Sequence, residues 1–298
     1  MQSIDTTEAH DPARRRAWAL LSRVWLSSPG MVAELVNTHG PVAAADRIVS
    51  GVIDARYGPR DWERAENDLF RTAVMGGRLL TRDDPAWPAR LTDLDLLGAD
   101  VHAPIALWVR GREQPDLFAS SMIAVVGARA ATGYGEHVTY DFAGGLARRG
   151  WTVLSGAGFG IDAAAHTAAL SADAATVAVL ACGLDRPYPA AHERLLGRIV
   201  ETGLVISEYP PGTPPVKSQF LARNRILAAL SAGVLVCEAG LRSSTTNTVG
   251  WATRLGRPVT AVPGPITSAG SAGCHDMIRT SRARLVTNIE QILDAIPG

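Results

Sequence analysis

Met122-Ile123-Ala124-Val125-Val126-Gly127-Ala128-Arg129 decides the fold. Five apolar residues run without alternation into a glycine, a small residue and a cation. Such a run leaves no face for water, so it predicts a strand covered on both sides by helices. The pattern downstream agrees. A helix is predicted around Gly135–Arg149, then a strand over Trp151-Thr152-Val153-Leu154 that closes in Ser155-Gly156-Ala157-Gly158-Phe159-Gly160. A helix over Asp162–Ser171 follows. Thr176–Leu180, Leu204–Glu208, Gly233–Cys237 and Pro258–Val262 supply four more strands. Strands alternating with helical patterns predict an α/β chain with a Rossmann-like, doubly wound, mostly parallel sheet.

Working back from Met122, Arg78-Leu79-Leu80 and Ile105–Val109 read as edge strands around a proline-rich loop. Residues 13–76 are helical, with Trp18, Leu21, Val24 and Trp25 at three- and four-residue steps. Breaks are predicted at Ser28-Pro29-Gly30, His39-Gly40-Pro41 and Tyr57-Gly58-Pro59. This stretch is expected to form a small helical accessory domain with its own core. The turn at Met75-Gly76-Gly77 would be the hinge, and residues 77–298 a Rossmann-like unit that folds alone. Residues 1–12 are polar and are expected to be a disordered tail.

Composition narrows the function. Hydrophobic residues make up 47% and charged residues 19%, enough for a sizeable core. Lys+Arg and Asp+Glu are 29 each, which excludes a uniformly basic surface but not a local basic groove. Lys217 is the single lysine. Cys182, Cys237 and Cys274 lack metal-type spacing and suit buried thiols in a reducing cytoplasm. No apolar run reaches the ~18 residues that would suggest a membrane span.

In open α/β sheets ligands gather at the carboxyl ends of the strands. Gly127 and Arg129 end the first strand of the series, and Ser155, Gly156, Gly158 and Gly160 the second. Ser243, Ser244, Thr245 and Thr248 follow the fifth. Arg223-Asn224-Arg225 stands at the head of an apolar helix, where guanidinium forks and backbone N–H groups suit phosphate. The glycine spacing reads either as a phosphate cradle or as a tight strand-to-helix turn. It is not the dinucleotide spacing Gly-x-Gly-x-x-Gly. Asp162 and His166 share a helix face four residues apart and are expected to buttress the glycine loop rather than act as an acid–base pair. There is no Walker lysine loop, no metal-ligand set and no Gly-x-Ser-x-Gly elbow. The expectation is a polyanion site with no catalytic group, metal or cofactor.

These motifs resemble the DNA-processing protein A family (DprA, also called Smf). The matching residues are Val125–Arg129, Ser155–His166, Ala181–Pro189, Ile206–Gly212, Phe220–Arg225 and Ala261–Gly264, in that order. Ser271–His275 is similar to the actinobacterial branch. The resemblance implies a cytoplasmic dimer that binds single-stranded DNA in natural transformation and loads the RecA recombinase onto it, without enzyme activity. It also implies a helical domain resembling a sterile alpha motif at 13–76, and most of the DNA affinity within 77–298.

Three departures stand out. Ser244 takes a place where many members have glycine, so its side chain is expected to narrow the anion site. Ala190 replaces a lysine found in some members. The winged-helix domain that many members carry is expected to be missing after Gly298. The competing expectation is an enzyme that binds or hydrolyses nucleoside phosphates, similar to the phosphoribohydrolases. Their Gly-Gly-x-Gly-Thr turn reads here as Glu238-Ala239-Gly240-Leu241-Arg242-Ser243.

Overall fold

The computed structural model describes residues 11–98, 100–112, 118 and 121–296. Its strands are β1 (Gly77–Thr81), β2 (Ala106–Gly111), β3 (Met122–Gly127), β4 (Thr152–Ser155) and β5 (Thr176–Leu180). They continue with β6 (Leu204–Ser207), β7 (Gly233–Glu238), β8 (Val259–Ala261) and β9 (Arg284–Leu285). They form one sheet in the order β1-β2-β6-β5-β4-β3-β7-β8-β9. Pairing is parallel from β6 to β9, while β1 with β2 and β2 with β6 are antiparallel. From β3 the chain winds outward through β4, β5 and β6, then crosses back to β7 on the other side of β3. That reversal opens a crevice at the carboxyl ends of β3 and β7.

The helices are α1 (Pro12–Trp25), α2 (Pro29–Val49), α3 (Arg60–Val74), α4 (Gly133–Arg148) and α5 (Ile161–Ser171). Then come α6 (Glu193–Thr202), α7 (Lys217–Leu230), α8 (Thr245–Arg254), α9 (Ala272–Arg279) and α10 (Ile289–Ala295). The break expected at His39-Gly40-Pro41 is a kink inside α2, where Gly40 takes φ 76°. Successive β3 residues point to opposite faces. Ile123 and Val125 pack with Ala143 and Leu146 of α4, Ala165 of α5 and Ile292 of α10. Ala124 and Val126 pack with Ile226 to Leu230 of α7, Val249 of α8 and Met277 of α9. Both faces of the strand are therefore dry, as its unbroken apolar run demanded.

Residues 13–76 are helical; α1 packs on α2 and α3, and their apolar face continues into the sheet layer. Leu20, Leu21, Val24, Trp25 and Ile48 share one buried cluster with Leu79, Trp108, Leu180, Leu196 and Val205 of the sheet layer. Polar ties run across the same boundary. Trp25 Nε1 donates to Glu208 Oε1 at 3.1 Å, Trp18 Nε1 donates to Asp83 Oδ2 at 2.5 Å, and Arg71 pairs with Asp185. Met75-Gly76-Gly77 is a tight connection within one packed body. The tail expected over 1–12 lies outside the described residues up to 10. Asp11 caps α1 through Ala13 N–H at 3.1 Å and Pro12 is its first residue.

The three cysteines are free and buried. Burial pushes the Cys182 and Cys274 thiols up to about 11 and that of Cys237 to about 12, so they stay protonated. Among the described residues no helix is long and apolar enough to cross a membrane.

Candidate functional site

A cleft of about 460 Å³ lies where the strand order reverses. Gly127 and Arg129 reach it from β3, Gly156, Gly158 and Asp162 from the β4–α5 turn, and Arg242, Ser244, Thr245 and Thr248 from the β7–α8 turn. One face of α7 forms a wall. Lys217, Phe220, Arg223, Asn224 and Leu227 recur at helical steps and all line the cleft. Four cations therefore face one space: Arg129, Lys217, Arg223 and Arg242. Asp162 is the single carboxylate among the lining residues. None of Arg129, Lys217 and Arg242 makes an ion pair among the described residues. An excess of unneutralised positive charge in a concave site favours an anion.

The cations are held differently. Arg129 is exposed, with its guanidinium 4.8 Å from the centroid of the Phe220 ring. Phe220 in turn lies 5.3 Å, centroid to centroid, from Tyr188. Cation, ring and ring make a column along the cleft wall. Arg223 is only 5% exposed; it donates to the Val179 carbonyl and, through Nε, to Asn224 Oδ1 at 3.3 Å. Burial lowers its pKa, opposed by the charge of Asp162. A guanidinium nevertheless remains protonated at any physiological pH.

The glycines now have physical reasons. A Cβ on Gly156 would run into the Arg223 guanidinium, so this glycine makes room for a buried cation. On Gly127 a Cβ would lie 2.5 Å from Ile161 and 2.6 Å from the Glu238 carbonyl. Gly160 has φ 68°, and a Cβ there would lie 2.6 Å from the Arg129 carbonyl. Both let the start of α5 press against the turn that carries Arg129.

Not every expected residue reaches the cleft. Gly127, Arg129, Gly156, Gly158, Arg223, Asn224, Ser244, Thr245 and Thr248 line it; Ser155, Gly160, Ser243 and Arg225 do not. Ser155 is fully buried and donates to the Val125 carbonyl at 2.7 Å, tying β4 to β3. Ser243 Oγ is turned onto its own loop, donating to Thr245 Oγ1 at 2.8 Å and accepting from Thr245 N–H at 3.2 Å. Arg225 points off the opposite face of α7. There it clasps Glu208, with Nη1 to Oε2 at 2.8 Å and Nη2 to Oε1 at 2.5 Å. Two residues along a helix is a turn of about 200°, so Arg223 and Arg225 cannot share a wall.

The supporting pair also splits. Asp162 lines the cleft and also holds the glycine turn, its Oδ2 accepting from Gly158 N–H at 3.0 Å. Burial raises its carboxyl pKa against the pull of Arg223 and the Gly158 amide. His166 is fully buried away from the cleft. Thr176 donates its hydroxyl proton to the Val153 carbonyl at 2.7 Å, so His166 must donate through Nδ1 to Thr176 Oγ1 at 2.8 Å. Burial pulls the His166 pKa down to about 3.

Lys217, Phe220, Tyr188 and Arg242 were missing from the expected site. The helical steps Lys217–Phe220–Arg223 could have found two of them. Arg242 and Tyr188 sit in loops, where spacing carries no direction.

A family model described as DNA recombination-mediator protein A matches residues 78–297. The chain belongs to that family. The match begins within β1, and the packing of α1–α3 runs across that boundary. A Mycobacterium tuberculosis protein provisionally named DNA processing protein DprA is 47% identical over 297 residues, 96% of this chain and 76% of its own length. Protein Smf of Escherichia coli is 42% identical over 230 residues, 77% of this chain and 59% of its own. Among solved structures, DprA from Streptococcus pneumoniae superposes with a TM-score of 0.72 at 30% identity, covering 100% of both chains. DprA from Helicobacter pylori, described for its unique single-stranded DNA binding mode, gives 0.64 at 27% identity, covering 72% of this chain and 94% of its own. The Rossmann-like core is thus a DprA core, preceded by helices.

Proposed function

We propose that the cleft binds single-stranded DNA and that the protein is a recombination mediator in DNA uptake. The observation that carries this is the cleft wall itself: four cations and one carboxylate around the tilted Phe220–Tyr188 pair. Phosphates would sit on Arg129, Lys217 and Arg242, and unpaired bases would stack beside the aromatic column. A groove of cations with aromatic platforms suits a single strand, whose bases are free to stack. A duplex keeps its bases inside and offers that column nothing.

Membership in the family, and the binding mode described for the Helicobacter pylori relative, support the same reading. The finer parts of the proposal are a homodimer in the cytoplasm that protects the incoming strand and passes it to RecA recombinase. Nothing in this function asks the protein to break a bond, and none of the residues lining the cleft is assigned a catalytic role. No cofactor or metal enters the proposal.

Salt-titrated binding of single- and double-stranded oligonucleotides tests it. For the single strand, log affinity should fall against log salt with a slope of about −0.7 per phosphate neutralised. Equal affinity for both forms, or no salt dependence, overturns the proposal. Release of free base from AMP or CMP, detected by chromatography, would favour the phosphoribohydrolase-like alternative.

A further inference from the structure

Asp162 is the unexpected member of the cleft. A carboxylate repels phosphate, and it stands in a site otherwise lined by cations. It does not neutralise them. Arg223 and Arg129 are near enough for their charges to act on it, yet neither forms an ion pair with it among the described residues. Holding the loop uses one oxygen, since Oδ2 accepts the Gly158 amide at 3.0 Å. That single bond does not require a charge, because an asparagine carbonyl would accept it equally well. The Ser155 hydroxyl also bears on the carboxylate, but it has one proton and the Val125 carbonyl competes for it at 2.7 Å. The carboxylate is thus partly desolvated and short of hydrogen-bond donors, and a group that supplies them is favoured there.

In a DNA strand, phosphates offer only acceptors. The donors are on the base edges: imino N–H and exocyclic amino groups. The position of Asp162 relative to the column fits this. Arg129 spans the two, with its guanidinium over Phe220 and its Nε 3.9 Å from the Cβ position of Gly158, a point itself 3.1 Å from Asp162 Oδ2. A base lying between the column and the Gly158 turn would bring its edge toward the carboxylate.

We propose that Asp162 is a specificity-determining residue that accepts hydrogen bonds from a nucleobase edge, with guanine the best fit. Guanine presents N1–H and N2–H side by side, matching two carboxylate oxygens. Thymine presents one N–H on that edge, and cytosine its amino group. Read this way, the cations hold the backbone and the lone acid chooses among bases, a division common to nucleic-acid sites. The inference rests on the single-strand reading of the cleft.

The experiment uses the full chain and labelled thymidine oligomers in which isolated positions carry guanine or hypoxanthine, spaced to prevent quadruplexes. Hypoxanthine keeps N1–H and lacks the amino group. Wild type should bind the guanine oligomer about tenfold more tightly than the hypoxanthine one. Asp162→Asn keeps an acceptor for Gly158 and should lose most of that ratio, with an unchanged melting temperature. Equal wild-type affinities for the two oligomers overturn the inference, as does uniform tightening in Asp162→Asn with the ratio intact, which would make the carboxylate a mere brake on phosphate. If the variant does not fold, the wild-type ratio decides alone. Wild type that binds no single strand in a salt-dependent way refutes the DNA reading instead.

Discussion

Each side of α7 carries an arginine, and the two arginines do opposite things. On one side Arg223, Lys217 and Phe220 border an open cleft with more cations than acids. On the other, Arg225 is 13% exposed at its side chain and closed onto Glu208, itself 5% exposed and further held by Trp25. The open side keeps charge in excess, whereas the closed side cancels it inside the fold. An arginine beside a predicted helix start is thus no guide to ligand binding. What matters is whether the fold has already given it a carboxylate.

The largest break in this contrast comes from removing the closed side altogether. The fragment 77–298 would strip α1–α3 from Leu79, Ile105, Trp108 and Val205, all of which are now buried with them. It is expected to aggregate or to lose its cooperative thermal transition, the reverse of what the sequence suggested. A folded fragment with a sharp melt would show that α1–α3 are dispensable cover.

Breaking the pair is the next largest effect. Arg225→Ala leaves the Glu208 carboxylate buried and unpaired, and should cost about 3–5 kcal/mol in chemical denaturation. Single-strand affinity of the protein that remains folded should not change. A matching loss of affinity would place Arg225 in the site after all.

His166 sharpens the comparison from beneath the open side, where the charge of Arg223 bears on it. Its pKa is near 6.5 unfolded and about 3 folded, so the unfolded chain binds the extra proton between those values. Its contribution is whole above about pH 6.5 and is lost as pH falls toward 3. The steepest slope is about 1.4 kcal/mol per pH unit. His166→Gln should remove that component of the acid sensitivity, which melting curves across pH would record.

Arg129→Ala should do least to the fold and most to function. The side chain is exposed, so stability should move by no more than about 0.5 kcal/mol. Single-strand affinity should fall for all sequences alike, with the salt slope flatter by somewhat under one unit. An unchanged slope removes Arg129 from the site.

Legibility in the sequence followed the same divide. The strands were readable because an unbroken apolar run has one physical outcome, a buried parallel strand, and Met122–Gly127 is one. Arg129 was readable because a strand end has a fixed place in such sheets. The fate of Arg225 was not, since its partner Glu208 lies 17 residues away on another element. Nor was the shared core of α1–α3. The periodicity of Trp18, Leu21 and Trp25 shows that a face is buried but does not name what buries it. Gly156 stays ambiguous in the sequence, cradle or tight turn, because the sequence cannot show a guanidinium from residue 223 occupying the space.

The winding of the sheet also sets when the site can exist. Its lining is drawn from residues 126 to 248, with the Arg242–Thr248 turn laid beside β3 only after β7 has been added next to it. A chain still being made on the ribosome has Arg129 early but lacks the opposite wall for more than a hundred residues. At the usual pace of about 5–20 residues per second, that wall follows many seconds later. The complete lining therefore exists only once the segment through Thr248 has been made and folded.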